Sequence, residues 1–185
     1  MNQSTLVMGV VVAVVLLLAL VVWSLLRQRR TRDLSHRFGP EYDRTVAAVG
    51  KRTEAEKELE ARARRVETLN IHPLPSAERE RFLELWWKAQ SHFVDSPLTA
   101  VAEADQLVAE VMRARGYPVA DFEQAAADVS VDHPQLVESY RIAHTTAVNA
   151  DRGKMGTEEL RQALVHYRSL FEELLRPLDL EPATA

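Results

Sequence analysis

TEELRQALVHYRSLFEELL, residues 157–175, decides the class of this chain. Leu160, Ala163, Leu164, Tyr167, Phe171 and Leu174 recur at steps of three and four. That spacing lines one face of a helix turning about 100° per residue, with charged side chains on the other faces. Thr157 reads as the cap, Glu158 and Glu159 sit where the helix dipole favours negative charge, and Pro177 stops the run. No segment of the chain alternates apolar and polar residues as a half-buried strand would.

Toward the N-terminus the same punctuation repeats. Asp132-His133-Pro134 opens a helix ending near Gly153, with Val137, Tyr140, His144 and Val148 on one side. Tyr117-Pro118 starts a short helix through Phe122 to Asp128. Ser96-Pro97, a cap followed by proline, opens another that Gly116 ends; its stripe is Val101, Ala104, Leu107, Val108, Val111 and Met112. Ser76 caps a helix running to Val94, with Phe82, Leu85, Trp86, Ala89 and Phe93 facing inward. Residues 76–176 therefore predict a small antiparallel helical bundle, followed by a tail over 177–185. About 100 residues suffice for one core, so this part is expected to fold by itself.

Ahead of the bundle, Asn70-Ile71-His72-Pro73-Leu74-Pro75 predicts a break over 70–75, because each proline lacks a donor and restricts its predecessor. Residues 41–69 contain no proline and are dense in both charges. Glu58–Arg62 and Glu60–Arg64 stand four apart in the favourable order. Ala55, Leu59, Ala63, Val66 and Leu69 make only a thin apolar seam. The stretch reads as a solvent-exposed charged stalk, with weak pairing to a second copy as the alternative.

Residues 6–26, LVMGVVVAVVLLLALVVWSLL, are 21 residues without a charge. A helix of that length covers about 30 Å, the hydrocarbon thickness of a bilayer. The five preceding residues, MNQST, carry no basic side chain, and no small-residue cleavage site follows, so an uncleaved anchor is expected rather than a secretory signal. Basic residues stay on the cytoplasmic side. Arg27, Arg29, Arg30, Arg32 and Arg37 in the juxtamembrane stretch 27–40 thus place the C-terminal body in the cytosol, an extracytoplasmic body being the alternative. Arg27, Arg29, Arg30 and Arg32 are the candidate contacts to anionic lipid. The expected architecture is all-α: a short N-terminal tail over 1–5, a transmembrane helix, a charged stalk and the bundle.

Composition restricts the chemistry. Without cysteine there is no disulfide, thiol nucleophile, iron–sulfur cluster or thiolate zinc site. Residues 27–75 carry 12 basic and 8 acidic side chains, whereas 76–185 carry 11 and 19. The acidic body disfavours nucleic acid as a partner. None of the six histidines forms an H-x-x-x-H or E-x-x-H pair, the spacings that set two ligands on one helical face. Asp33 and His36 are the nearest approach. His144 reads as a core histidine bonded to a neighbour, and His92 and His166 flank other apolar faces. Glu80 and Glu84 are one carboxylate pair without a second on the next helix, and Gly153-x-x-Gly156 is too sparse for a phosphate loop. No catalytic residue, metal ligand or cofactor site is assigned. Trp86 and Trp87 point about 100° apart, so both cannot be equally buried. With Glu172 and Glu173, which the dipole disfavours in a last turn, they form the candidate partner surface.

FGPEYDRTV after a single anchor, then RGYPVADFEQ, DHPQLVESYRIAH and TEELRQALVHYRSLFEELL, resembles a family of uncharacterised bacterial single-pass membrane proteins, some labelled secreted. The resemblance covers Arg37 to Leu175. It implies the layout of anchor, stalk and helical domain, and it brings no activity. The expected function is a membrane-anchored, non-enzymatic interaction or scaffold protein in envelope or stress physiology, with the bilayer and a protein as partners. The alternative is a tethered hydrolase or ligand-binding domain with a site between helices from His92, His144 and His166.

Overall fold

The computed structural model describes the backbone of residues 3–176 and the side chains of residues 16–150 and 152–176. Among them are eight helices and no strand. The all-α expectation holds, and its C-terminal part comprises α4 (Ser76–His92), α5 (Pro97–Ala114), α6 (Phe122–Asp132), α7 (Val137–Asp151) and α8 (Thr157–Leu175). Short connections bring α4 back along α5 and α7 back along α8, and α8 packs on both α5 and α7. The predicted stripes meet at the centre: Val101, Val108, Val111, Met112, Tyr167 and Phe171 are essentially inaccessible, and Leu170 joins them. The tail over 177–185, including Pro177, lies outside the described residues.

Helix starts shift where a better cap lies nearby. Asp121 caps α6, its Oδ1 accepting from the Gln124 amide at 2.8 Å. Phe122, rather than Tyr117-Pro118, therefore begins that helix. Tyr117 is instead buried, its hydroxyl donating to Asp132 at 2.8 Å. Asp132 ends α6, and α7 begins only at Val137. Gly156, not Thr157, holds the cap position of α8, its amide donating to Glu159 at 2.6 Å. Pro75, not Ser76, precedes α4 as its cap residue. Two predicted inward residues, Leu85 and Val148, lie at the rim, more than a third exposed.

The stretch predicted as a stalk is different. It forms two helices, α2 (Pro40–Val49) and α3 (Arg52–Glu67), separated at Gly50, whose φ of 76° is left-handed. Neither stands free. The seam is buried: Leu59, Ala63 and Val66 pack against Leu34, Phe38 and Tyr42 from the preceding segment and Val131 of α6, and Ala55 is inaccessible. Alanines at 55 and 63 let the backbones approach, and a fully buried leucine such as Leu59 contributes about 1.5–3 kcal/mol. The seam is thus satisfied within the chain. The proline-rich break is held too: the His72 amide donates to the Arg115 carbonyl at 3.0 Å, Leu74 joins the large core, and Ile71 touches both cores.

The first helix, α1 (Gln3–Phe38), runs without interruption through the predicted span and the basic stretch. Among the described residues no helix is long and apolar enough to cross a membrane. Residues 6–15 of the predicted span lie outside those whose side chains are described. Leu16 to Leu26 are exposed around the helix, and below them Leu34 and Phe38 enter the small core.

Candidate functional site

Two polar centres are built into this frame. The first joins the N-terminal helices to the bundle. Glu41, 3% exposed at the start of α2, meets Arg141 of α7 through two bonds at 3.0 and 3.2 Å. Arg62 of α3 donates to the same carboxylate at 2.9 Å and also to Glu58. A buried carboxylate needs such donors, since desolvating it unpaired would cost several kcal/mol. Burial holds the Arg141 pKa below its ordinary value, with Glu41 opposing. Its Nε has no partner among the described residues. One turn away on α3, Arg65 reaches Asp128 of α6, which is fully buried. A groove of about 500 Å³ opens here, lined by Arg62, Arg65, Arg141, Asp121, Glu123 and Gln124. Its arginines are already neutralised by carboxylates, so it offers no surplus charge to an anion.

The second centre lies between α5, α7 and α8. Asp105 Oδ1 accepts from the Tyr167 hydroxyl at 2.5 Å and faces His144 Nδ1 at 3.0 Å. Phe122 stacks on the imidazole with centroids 3.7 Å apart. Burial and then Asp105 raise the Tyr167 pKa far above the usual phenol range. Asp105 thus ties three helices together and fixes the orientation of the His144 ring. An Asp–His pair of this kind can orient a general base, and the imidazole edge is a quarter exposed.

The other candidate residues separate. His92 Nδ1 contacts Glu103 at 2.8 Å. Glu103 and Asp105 are two residues apart on α5, about 200° around the helix, so their histidines occupy different sides. His166 is half-buried on α8. His133, not singled out from sequence, sits 3.5 Å from Glu173. Among the described residues no three His, Asp or Glu side chains are grouped to hold a metal ion.

Of the tryptophan pair, Trp86 is buried and stacks on Phe171 at 4.6 Å, which removes it from the candidate partner surface. Trp87 is 67% exposed. Leu83, one turn earlier on the same face of α4, is also exposed. Glu172 pairs with Arg168 at 2.9 Å, and Glu173 with Arg176 at 3.0 Å as well as with His133, so internal cations compensate both against the dipole. Of the four juxtamembrane arginines, Arg30 is engaged by Glu60, and Arg27 donates to Thr53 at 3.1 Å. Arg29 and Arg32 make no ion pair among the described residues. The Glu41–Arg141 junction escaped sequence reading because its members are 100 residues apart.

Comparison with family models, curated proteins and solved structures gives no match.

Proposed function

We propose that the chain is a membrane-anchored, non-enzymatic interaction or scaffold protein that holds an acidic helical body at the cytosolic face. The observation that carries this reading is the continuity of α1. The apolar run 6–26 leads without a loop into Leu34 and Phe38, which are packed against α3 and α6. A helix mounted in this way would set the body at a fixed height and orientation on the bilayer, which suits a scaffold. The protein partner is assigned to the exposed Leu83–Trp87 face, since an accessible tryptophan suits a contact hot spot. The test has two arms. Full-length protein should stay with membranes through alkaline carbonate, and a C-terminal reporter should be active only in the cytosol. Carbonate release, or a phosphatase fusion active outside, would overturn the anchor or its orientation.

The second reading, a tethered ligand-binding or hydrolytic domain, is favoured by the Asp105–His144 pair alone. Elemental analysis of untagged protein separates the two. The scaffold reading expects no stoichiometric transition metal; one equivalent lost on His144→Ala would favour the alternative.

A further inference from the structure

The segment just below the exposed apolar helix is built from two elements that meet at one level. α3 runs parallel to the second half of α1: Arg27 meets Thr53, Thr31 meets Glu56, and Arg37 lies near Glu67. The turn between α2 and α3, with Lys51 and Arg52, is therefore raised to the height of Arg27, the first residue after the apolar run. Between them lies a cleft of about 310 Å³ lined by Ser24, Arg27, Gln28, Thr31, Arg32 and Arg52. Trp23 stands at its upper edge, its ring 5.5 Å from the Arg27 guanidinium. Three guanidinium groups line this space. No carboxylate lines it; Glu56 lies behind Thr31, accepting from that hydroxyl and from Tyr42, and Glu54 pairs with Lys57.

We infer that this cleft binds the phosphodiester headgroup of an anionic phospholipid, with Arg27, Arg32 and Arg52 around the phosphate and Lys51 beside it. The proposal rests on the membrane-anchored reading and sharpens it. Of the four juxtamembrane arginines it keeps Arg27 and Arg32. It leaves out Arg30, engaged by Glu60, and Arg29, about 200° around the helix from Arg27. It adds two residues that are distant in sequence. Charge complementarity selects an anion, room for a headgroup disfavours a single ion, and continuity with the exposed Leu16–Leu26 surface selects a lipid over a soluble anion. An acyl chain attached to that phosphate would lie along the apolar helix.

The experiment is native mass spectrometry of the full chain in detergent, offered equal phosphatidylglycerol and phosphatidylcholine. Wild type should retain phosphatidylglycerol preferentially. Lys51→Glu/Arg52→Glu should lower that preference about thirtyfold, as expected for two lost contacts of ~1 kcal/mol each. Both side chains are exposed, and Lys51, at the N-cap position of α3, makes no side-chain capping bond, so the fold should survive, which circular dichroism checks. Arg29→Glu, at the same height but off the cleft, and Arg64→Glu, about 18 Å further along α3, should change it little. Equal loss in all three variants would mean diffuse attraction, and no loss in Lys51→Glu/Arg52→Glu would mean no site; either overturns the inference. Displacement of the lipid by excess inorganic phosphate would also overturn it, by assigning the cleft to a soluble anion. The measurement does not depend on insertion. Failure of the anchor would show in carbonate extraction, and failure of the cleft in the lipid ratio.

Discussion

Glu41 is the residue whose removal should matter most. Its carboxylate serves two arginines from helices on either side of it, and one of them, Arg141, is almost completely covered. Glu41→Gln keeps the shape and removes the charge, leaving Arg141 buried without a counter-ion. A loss of about 3–5 kcal/mol in chemical denaturation is expected. The double change Glu41→Met/Arg141→Met should recover much of it, because apolar replacement of a buried pair is far milder than breaking one. A second residue-scale prediction concerns acid. Burial lowers the His133 pKa, and Glu173 opposes this only in part. The unfolded chain takes up that proton near the ordinary pH of about 6.5, and the folded chain only below it. The stability contributed by neutral His133 is therefore complete above that value and lost as pH falls through the folded pKa. Between neutral and mildly acid pH, wild type should lose more stability than His133→Gln in urea titrations.

At the scale of elements, the bundle was legible because each helix carries its own signals. Ser96-Pro97, Gly116 and the stripes of α5 and α8 are local, and the packing follows from them. The start of α6 differs from the expected one because Asp121 offers a stronger cap than Tyr117-Pro118, while Tyr117 is drawn into the core with its hydroxyl on Asp132. Gly116 shows what sequence could not. It was readable as a helix stop, but its φ of 98° is joined by a tight contact. A Cβ there would lie 2.3 Å from the Asn70 carbonyl oxygen, where the proline-rich segment crosses. Gly116→Ala should therefore cost more than the roughly 1 kcal/mol of a strained backbone alone, read as a lowered thermal midpoint. The seam of α3 was visible but undervalued. Charge density suggested solvent on all sides, whereas Arg30, Arg62 and Arg65 find partners within the chain. Leu59→Ala should cost about 2–5 kcal/mol, a loss a solvent-exposed stalk would not register.

For the whole molecule, the consequence is that residues 27–69 belong to the folded body. Two cores share Ile71, and α3 closes over α6 through Val131 and the Arg65–Asp128 pair. Cutting at Ser76 would expose Val131, take Arg65 from the buried Asp128 and leave Arg141 without Glu41. Residues 76–185 alone should then unfold at lower urea than residues 27–185, against the expectation of an independent bundle. None of this could be read from spacing, because the partners lie in separate segments. Hydrogen exchange of the full chain in detergent, resolved for individual amides, tests the claim most directly. If residues 27–69 are part of one cooperative body, the amides of Leu59, Ala63 and Val66 should be protected to the same free energy as those of Leu164, Tyr167 and Phe171. Exchange of the α3 amides at the rate of a fraying helix, while α8 remains protected, would contradict it.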